Sequence, residues 1–288
     1  MTPAHARTRQ DSTERVAVVT GAGRGIGRRI AMSLAGGGHR LVICDIDSAT
    51  AEDALASLGP GHRAVVGDVS DAAVCRALAE HALQHFGRLD VWVNNAGILP
   101  IGPLESQPTA LLDRVVAVNL NAVLHGSQAA VAVMRERGTG HLINLASAAA
   151  TKPMAGMAAY SATKAGVLAL SRALHRELRG SGVHVSAILA SLTATHMSHG
   201  LRLPFGLAPL PPAAVAAAVD RTLRRPTPVS YAPRWLGWVL PWTNLVPTAL
   251  LDRVDDLLHV DAIACRPVPE QRTAYEEEMR RAMRLSDT

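Results

Sequence analysis

Cysteine, aromatic residues and long apolar runs are all scarce in this sequence of 288 residues. The three cysteines, Cys44, Cys75 and Cys265, lie far apart and have no C-x-x-C spacing or clustered histidines. We therefore expect reduced thiols, a cytoplasmic protein and no metal site. No uninterrupted run of eighteen apolar residues is present, so we expect no membrane-spanning helix. Aromatic residues make up 3% of the chain, which leaves Ala, Val, Leu and Ile to build the core.

Charge gives no sign of a polyanionic partner. The 29 Lys and Arg residues exceed the 24 Asp and Glu residues by only five. The arginines are scattered and no nucleic-acid-binding motif accompanies them, so we expect no nucleic-acid partner. Residues 1–14 are polar and lack the apolar run of a signal peptide, which predicts a flexible leader. The remaining length fits one large α/β domain better than two.

Lysine is also scarce, because only two of the 29 basic residues are lysines. One of them, Lys164, follows Tyr160 by four residues, so the two share one face of a helix. A fixed cation favours the phenolate and lowers the tyrosine pKa from about 10 toward neutrality, where the side chain can exchange a proton. Ser147 precedes Tyr160 by thirteen residues and completes a candidate catalytic group.

The stretch RVAVVTGAGRGIGRRIAMSLAGGGHRLVICDID is typical of strand, loop, helix and strand. Its glycines follow Thr20 with the spacing T-G-x-x-x-G-x-G, at Gly21, Gly25 and Gly27. Glycines let the backbone approach a pyrophosphate, whose charge is met by the N-terminus of the helix that begins near Gly25. The stretch therefore predicts a dinucleotide site.

Asp45, at the end of the second predicted strand, indicates which dinucleotide is bound. A carboxylate here accepts hydrogen bonds from an adenosine ribose and repels a 2′-phosphate, so it favours NAD over NADP. Arg24 in the glycine loop could neutralise that phosphate, which keeps NADP as the alternative. Asp45 could instead cap the following helix, although Asp47 or Ser48 is better placed for that role.

Strands and helices alternate along residues 15–232, which we interpret as one catalytic domain. Helices are predicted at 49–58, 71–86, 108–136, 158–179 and 212–225, with strands between them, including RAVVGD ending at Asp68. This alternation predicts a single-domain, Rossmann-type α/β fold. Its doubly wound parallel sheet has about seven strands, with helices on both faces.

Polar and small residues follow several of these strands, where ligands bind in such sheets. Asp68 could hydrogen-bond adenine, and Gly97 could let a cofactor lie close to the backbone. Asn94 and Asn95 either brace turns or contact the ligand. Asn119, inside an apolar helix, either braces neighbouring backbone or holds a water molecule.

The sequence resembles the short-chain dehydrogenase/reductase family from about residue 15 to 200. The motifs TGAGRGIG, NNAG and YSATK occur in the family's order, together with the single residues named above. The resemblance implies a catalytic tetrad of Asn119, Ser147, Tyr160 and Lys164. It also implies a dinucleotide site formed by Thr20, Gly21, Arg24, Gly25, Ile26, Gly27, Asp45, Asp68, Val69, Asn95, Ala96, Gly97, Tyr160, Lys164 and Thr195.

In the mechanism that the resemblance implies, Ser147 hydrogen-bonds the substrate oxygen and Tyr160 transfers the hydroxyl proton. Lys164 lowers the Tyr160 pKa and binds the nicotinamide ribose, while Asn119 holds a relay water. The sequence departs from the family pattern at Ala190-Ser191, where Pro-Gly is usual, and at Thr193. The alternative is therefore a dinucleotide-binding regulatory protein whose catalytic activity has lapsed.

Two segments are expected to shape the substrate site and the partners. Residues 192–212 are predicted to be a substrate lid, and their apolar side chains favour a hydrophobic secondary alcohol or ketone unless they simply pack on the domain. Residues 233–288 are predicted to be a helical extension rich in tryptophan. That extension could cover the pocket, form a homo-oligomer interface in a dimer or tetramer, or contact a membrane peripherally. The residues that carry these expectations are Leu201, Leu203, Phe205, Leu207, Leu210, Tyr231, Trp235, Trp238 and Trp242.

Overall fold

The computed structural model describes residues 14–201, 208–243, 245–258, 272–273, 275–277 and 279. Four features of the sequence analysis fall outside these residues. They are nearly all of the predicted leader, Cys265, the lid residues Leu203, Phe205 and Leu207, and the last stretch of the chain.

Seven parallel strands form one sheet, as the alternating pattern predicted. The strands are β1 (Val16–Thr20), β2 (Arg40–Asp45), β3 (Arg63–Val66), β4 (Val91–Asn94), β5 (Gly140–Ser147), β6 (Val183–Ala190) and β7 (Val229–Ala232). Their order, β3-β2-β1-β4-β5-β6-β7, is that of a doubly wound Rossmann-type sheet. Every residue of β1 and β4 is buried, which explains the apolar runs Val16–Val19 and Val91–Val93 within them.

Helices cover both faces of the sheet. They are α1 (Gly25–Gly36), α2 (Ser48–Leu58), α3 (Ala72–Phe86), α4 (Thr109–Val116), α5 (Ala122–Arg137), α6 (Ala158–Glu177), α7 (Pro212–Arg224), α8 (Leu236–Thr243) and α9 (Thr248–Leu258). Residues of α1 and α7 share one apolar core with the sheet, and residues of α3 and α5 share the other. Asp47 caps α2 by accepting a hydrogen bond from the Thr50 amide at 2.9 Å. The cap is thus Asp47 and not Asp45.

The long helix predicted at 108–136 is interrupted. A π-helical turn, Ala117–Asn121, separates α4 from α5 and contains the fully buried Asn119. The whole stretch Thr109–Arg137 is long and apolar enough to cross a membrane. Core helices of soluble proteins meet the same criterion, and here Val123, Ala130 and Met134 are buried.

A chain of buried amides ties the middle of the sheet to α6. Asn94 accepts a hydrogen bond from the Trp92 indole at 2.7 Å and donates to Asn144 at 2.8 Å. Asn144 in turn donates to the Ser171 hydroxyl at 2.9 Å. Because buried amides are costly unless paired, this network fixes β4, β5 and α6 relative to one another. Asn94 therefore braces neighbouring elements of the fold, which is one of the two roles predicted for it, the other being contact with a ligand.

Candidate functional site

A cavity of about 480 Å³ opens at the carboxyl ends of the strands. The sheet order reverses between β1 and β4, and the loops that follow these strands diverge there. Residues after each of the first six strands, β1 to β6, line the cavity. They include most residues that the sequence predicted for a dinucleotide site, namely Gly21, Arg24, Gly25, Ile26, Asp45, Asp68, Val69, Asn95, Ala96, Gly97, Tyr160, Lys164 and Thr195.

The glycine loop packs tightly around the start of α1. Gly21 has φ +61°, and a Cβ there would lie 2.8 Å from the Ala96 Cα. A Cβ on Gly27 would lie 2.1 Å from the Gly21 carbonyl oxygen. Only glycine fits at either position, and the α1 N-terminus is left facing the cavity.

Thr20 and Asn95 brace this loop from behind. The Thr20 hydroxyl accepts hydrogen bonds from the Asn95 and Ala96 amides at 3.0 and 3.2 Å. The Asn95 side chain donates to the Thr20 and Gly21 carbonyls at 2.9 and 3.0 Å. Thr20 and Gly27 therefore support the cavity wall without forming it, whereas Asn95 does both.

Two carboxylates stand at the β2 and β3 edge of the cavity. Asp45 is buried and accepts a hydrogen bond from the Gly23 amide at 2.8 Å. Asp68 lies beyond the end of β3, which stops at Val66 and not at Asp68 as predicted. Its carboxylate pairs with Arg114 of α4 at 2.6 Å. No local motif marks Arg114, since the pair joins residues far apart in sequence.

Ser147, Tyr160 and Lys164 meet at the β5 edge of the cavity. Ser147 ends β5, and the other two lie one turn apart on the first turns of α6. The Lys164 ammonium donates to the Leu145 carbonyl at 2.9 Å and lies 5.8 Å from the centre of the Tyr160 ring. The three side chains thus form one group that faces the cavity.

Burial dominates the acidity of this group. Burial raises the pKa of Tyr160, and a hydrogen bond with Ser147 opposes that rise. Burial also lowers the pKa of Lys164 from 10.5 to about 8. The direction at Tyr160 differs from our expectation of a lowered pKa. The reason is that removing the phenolate from water outweighs the other interactions that the phenol makes.

Asn119 braces the backbone next to this group. Its amide donates to the Ile98 carbonyl and accepts from the Ile98 amide, both at 2.8 Å. A Cβ on Gly97 would lie 3.2 Å from the Asn119 oxygen and 3.7 Å from the Lys164 nitrogen. Asn119 therefore lies behind the cavity wall and fixes the β4 loop against α6.

Ala190 and Ser191 extend the ladder between β6 and β7. The Ser191 amide donates to the Ala232 carbonyl at 2.9 Å. Beyond them, Ala194 and Leu210 are joined by a backbone hydrogen bond of 2.7 Å. The two ends of the predicted lid are therefore held together.

Sequence reasoning missed several apolar residues of the cavity. Leu236 and Leu240 of α8 line it from the C-terminal extension, as do Tyr275 and Met279. A second group, Leu99, Met154, Met157, Leu192 and Met197, surrounds Tyr160. The i, i+4 spacing of Leu236 and Leu240 was a signal for α8, but nothing near Tyr275 marked that residue. In the described part of the chain, no cluster of His, Cys, Asp and Glu could hold a metal ion.

Comparison with known proteins gives the family. The profile of the family described as short chain dehydrogenase matches residues 15–204. The chain belongs to the short-chain dehydrogenase family. Its relatives in this family include the probable oxidoreductase EphD of Mycobacterium tuberculosis, which is 37% identical over 183 residues. That match covers 62% of this chain but only 31% of EphD.

Other members of the short-chain dehydrogenase family match over more of their own length. D-threitol dehydrogenase of Mycolicibacterium smegmatis is 36% identical over 188 residues, which cover 64% of this chain and 72% of that protein. The crystal structure of 3-ketoacyl-(acyl-carrier-protein) reductase from Brucella melitensis, complexed with NADH, is 31% identical with a TM-score of 0.69. That comparison covers 76% of this chain and 98% of the reductase.

The buried ammonium predicts a pH-dependent stability. The folded-state pKa of Lys164, about 8, lies below its ordinary 10.5, so the unfolded chain binds this proton more tightly. The cost of burying the ammonium is therefore fully present below pH 8 and disappears as the pH rises toward 10.5. We expect Lys164→Met to raise the melting temperature at pH 7 by roughly 3 °C or more, and the gain to shrink above pH 10.

Lys152→Met is the matched control, because Lys152 is partly exposed and pairs with Asp255. It should not raise the melting temperature at pH 7. A Lys164→Met protein that melts below the wild type both at pH 7 and above pH 10 would contradict the conclusion that the buried ammonium lowers stability.

Proposed function

We propose that the protein is an NAD-dependent short-chain alcohol dehydrogenase or carbonyl reductase, which transfers a hydride between the nicotinamide and a hydrophobic secondary alcohol or ketone. The observation that carries this proposal is the meeting of Ser147, Tyr160 and Lys164 in a cavity that continues into the glycine loop. Neither part alone specifies a reaction, but together they bring a proton carrier to the end of a dinucleotide cradle.

The residues present fit a dinucleotide. Gly21 and Gly25 have positive φ, and a Cβ on Gly25 would lie 3.3 Å from the Thr195 methyl, so both keep the cradle open. Lys164 makes one hydrogen bond within the described part of the chain, to Leu145, which leaves donors for a ribose hydroxyl. When bound, the nicotinamide supplies or accepts the hydride.

The chain's own residues manage the proton. In the oxidative direction Tyr160 takes the proton of the substrate hydroxyl, and in the reductive direction it returns one to the carbonyl oxygen. Ser147 is hydrogen-bonded to Tyr160, and this contact supports a role for Ser147 in holding the same substrate oxygen. Because burial raises the Tyr160 pKa, its neutral form prevails near neutrality and suits ketone reduction. Oxidation should accelerate as the pH rises.

The walls around Tyr160 support an apolar substrate. Leu99, Met157 and Leu201 form a buried cluster with which Tyr160 packs. A sugar or hydroxy acid would leave its hydroxyls unpaired against these side chains, which is costly. A hydrophobic alcohol or ketone pays no such penalty.

A regulatory protein without activity is the second candidate, raised by Ala190-Ser191. The hydrogen bond from Ser191 to Ala232 keeps this turn ordered without the usual Pro-Gly. Intact Ser147, Tyr160 and Lys164 support the enzyme. The unpaired, buried thiols of Cys44 and Cys75 support our proposal of a cytoplasmic location.

Replacing the proton carrier tests the mechanism. We expect Tyr160→Phe to lower kcat for ketone reduction by roughly 100-fold to 10,000-fold, the range of general acid–base catalysis. The Kd for NADH should change less than about threefold. Stopped-flow turnover and fluorescence titration measure the two quantities. Tyr231→Phe, outside the cavity lining, is the control. Unchanged turnover in Tyr160→Phe would refute the role.

The buried carboxylate at the end of β2 predicts the cofactor. We expect the wild type to bind NADH more tightly than NADPH, since Asp45 repels a 2′-phosphate. Asp45→Ser should raise the ratio of kcat/KM for NADPH to that for NADH by at least about tenfold. Asp53→Ser, an exposed change on α2, should leave the ratio unchanged. A wild-type preference for NADPH would show that Arg24 outweighs Asp45.

We also propose that α8 forms a homo-oligomer interface. Trp235, Trp238 and Trp242 are 57%, 80% and 63% exposed, so the described part of the chain leaves most of their surface uncovered. The adjoining α9 holds three Asp residues and one Arg, an acidic balance that an anionic membrane would repel. This charge disfavours an anionic membrane as the partner, and we therefore propose a second copy of the chain.

A charge placed among the tryptophans tests that interface. We expect Trp238→Glu to lower the sedimentation coefficient from that of a dimer or tetramer toward that of a monomer. Val66→Glu, at another exposed apolar side chain, should not. Co-sedimentation of the wild type, but not Trp238→Glu, with phosphatidylcholine vesicles would favour the membrane instead.

A further inference from the structure

Two C-terminal residues reach back to the substrate end of the cavity. Arg272 is 1% exposed, and its guanidinium donates hydrogen bonds to the Met197 carbonyl, at 2.6 Å, and to the Leu99 carbonyl. The same guanidinium lies 4.8 Å from the centre of the Tyr275 ring. Arg272 thus clamps three parts of the chain together, and the clamp orients Tyr275.

Tyr275 contributes a hydroxyl to a largely apolar region. Its side chain is buried and lines the cavity, and its oxygen accepts a hydrogen bond from the Leu99 amide at 2.9 Å. Burial raises the pKa of Tyr275 to about 12, so the hydroxyl keeps its hydrogen near neutrality. The hydrogen bonds among the described residues give that hydrogen no acceptor.

A buried hydroxyl donor without an acceptor is costly, and a ligand oxygen removes that cost. Ser147 and Tyr160 lie on the wall formed by β5 and α6, whereas Tyr275 comes from the C-terminal extension. The neighbours Leu99, Met197 and Met279 offer no competing side-chain oxygen, and the His196 ring lies edge-on to the Tyr275 ring with 5.7 Å between their centres. A substrate that reacts at Tyr160 would therefore meet a second, separate donor.

We propose that Tyr275 is a specificity-determining residue whose hydroxyl donates a hydrogen bond to a second oxygen of the substrate. The preferred substrates are then apolar ketones or alcohols that carry a second carbonyl or hydroxyl group, and hydrocarbon ketones of the same skeleton are poorer substrates. This inference rests on the proposed function, because it concerns the same cavity. The Tyr275 hydroxyl stays unpaired when a ketone without a second oxygen binds, and this cost discriminates against that ketone.

Matched ketone pairs test the proposal: cyclohexanone against cyclohexanedione, and decalone against decalindione. The kcat and KM of each are measured with NADH, and the Kd of each for the protein–NADH complex is measured by calorimetry. We expect the wild type to prefer the diketones by about tenfold or more in kcat/KM. Tyr275→Phe keeps the ring beside Arg272 and should abolish this preference, mainly through KM and Kd. Monoketone kinetics should stay within about threefold.

Met279→Leu is the control, since it changes the same wall without altering a hydrogen-bonding oxygen, and it should retain the preference. Equal losses for both ketones in Tyr275→Phe would overturn the proposal, because a merely structural role predicts them. The preference for diketones can be measured on the wild type alone. Its absence in both kcat/KM and Kd would also overturn the proposal. Tighter binding of the diketones without any turnover would refute the proposed reaction but support the role of Tyr275. Turnover of both ketones without a preference for the diketones would support the reaction and refute the role of Tyr275.

Discussion

The site depends on keeping one ammonium out of water beside one phenol. Lys164 is buried, so its charge is costly, and the Leu145 carbonyl is the partner that the fold supplies. That carbonyl comes from β5, the strand that also ends in Ser147. The strand β5 therefore fixes the positions of both the Lys164 ammonium and Ser147, and α6 carries Tyr160 one turn before Lys164. An error in the β5–α6 packing would displace all of them together.

Asparagine side-chain amides hold the strands and loops around this group in place. Asn94 joins β4 to β5, Asn95 fixes the glycine loop, and Asn119 fixes Ile98 beside Gly97. Each is held by backbone or amide partners, so their positions vary little. Asn119 lies in the π-helical turn, and its amide makes both hydrogen bonds to Ile98. Such turns are frequent at functional sites.

Local patterns were enough to predict the sheet, the glycine loop and the α2 cap, because apolar runs, glycine spacing and capping residues are all features of short stretches of sequence. The pairing of Asp68 with Arg114 and the hydrogen bond of Tyr275 to Leu99 join distant parts of the chain, and no spacing records them. The direction of the Tyr160 pKa shift is predicted wrongly from the sequence for a related reason. Sequence gives the neighbouring charge but not the depth of burial, and burial sets the direction here.

The C-terminal extension links the cavity to the outer surface. On α8, Leu236 and Leu240 line the cavity while Trp238 and Trp242 point away from it. A partner that covered the tryptophans would therefore also restrain a wall of the proposed substrate site, since one short helix carries both faces. Lys152, another residue of the cavity wall, is held by Asp255 of α9. Contacts outside the dinucleotide-binding fold thus help to shape the proposed substrate region, and this separation would let specificity change while the proposed β5–α6 chemistry stays fixed.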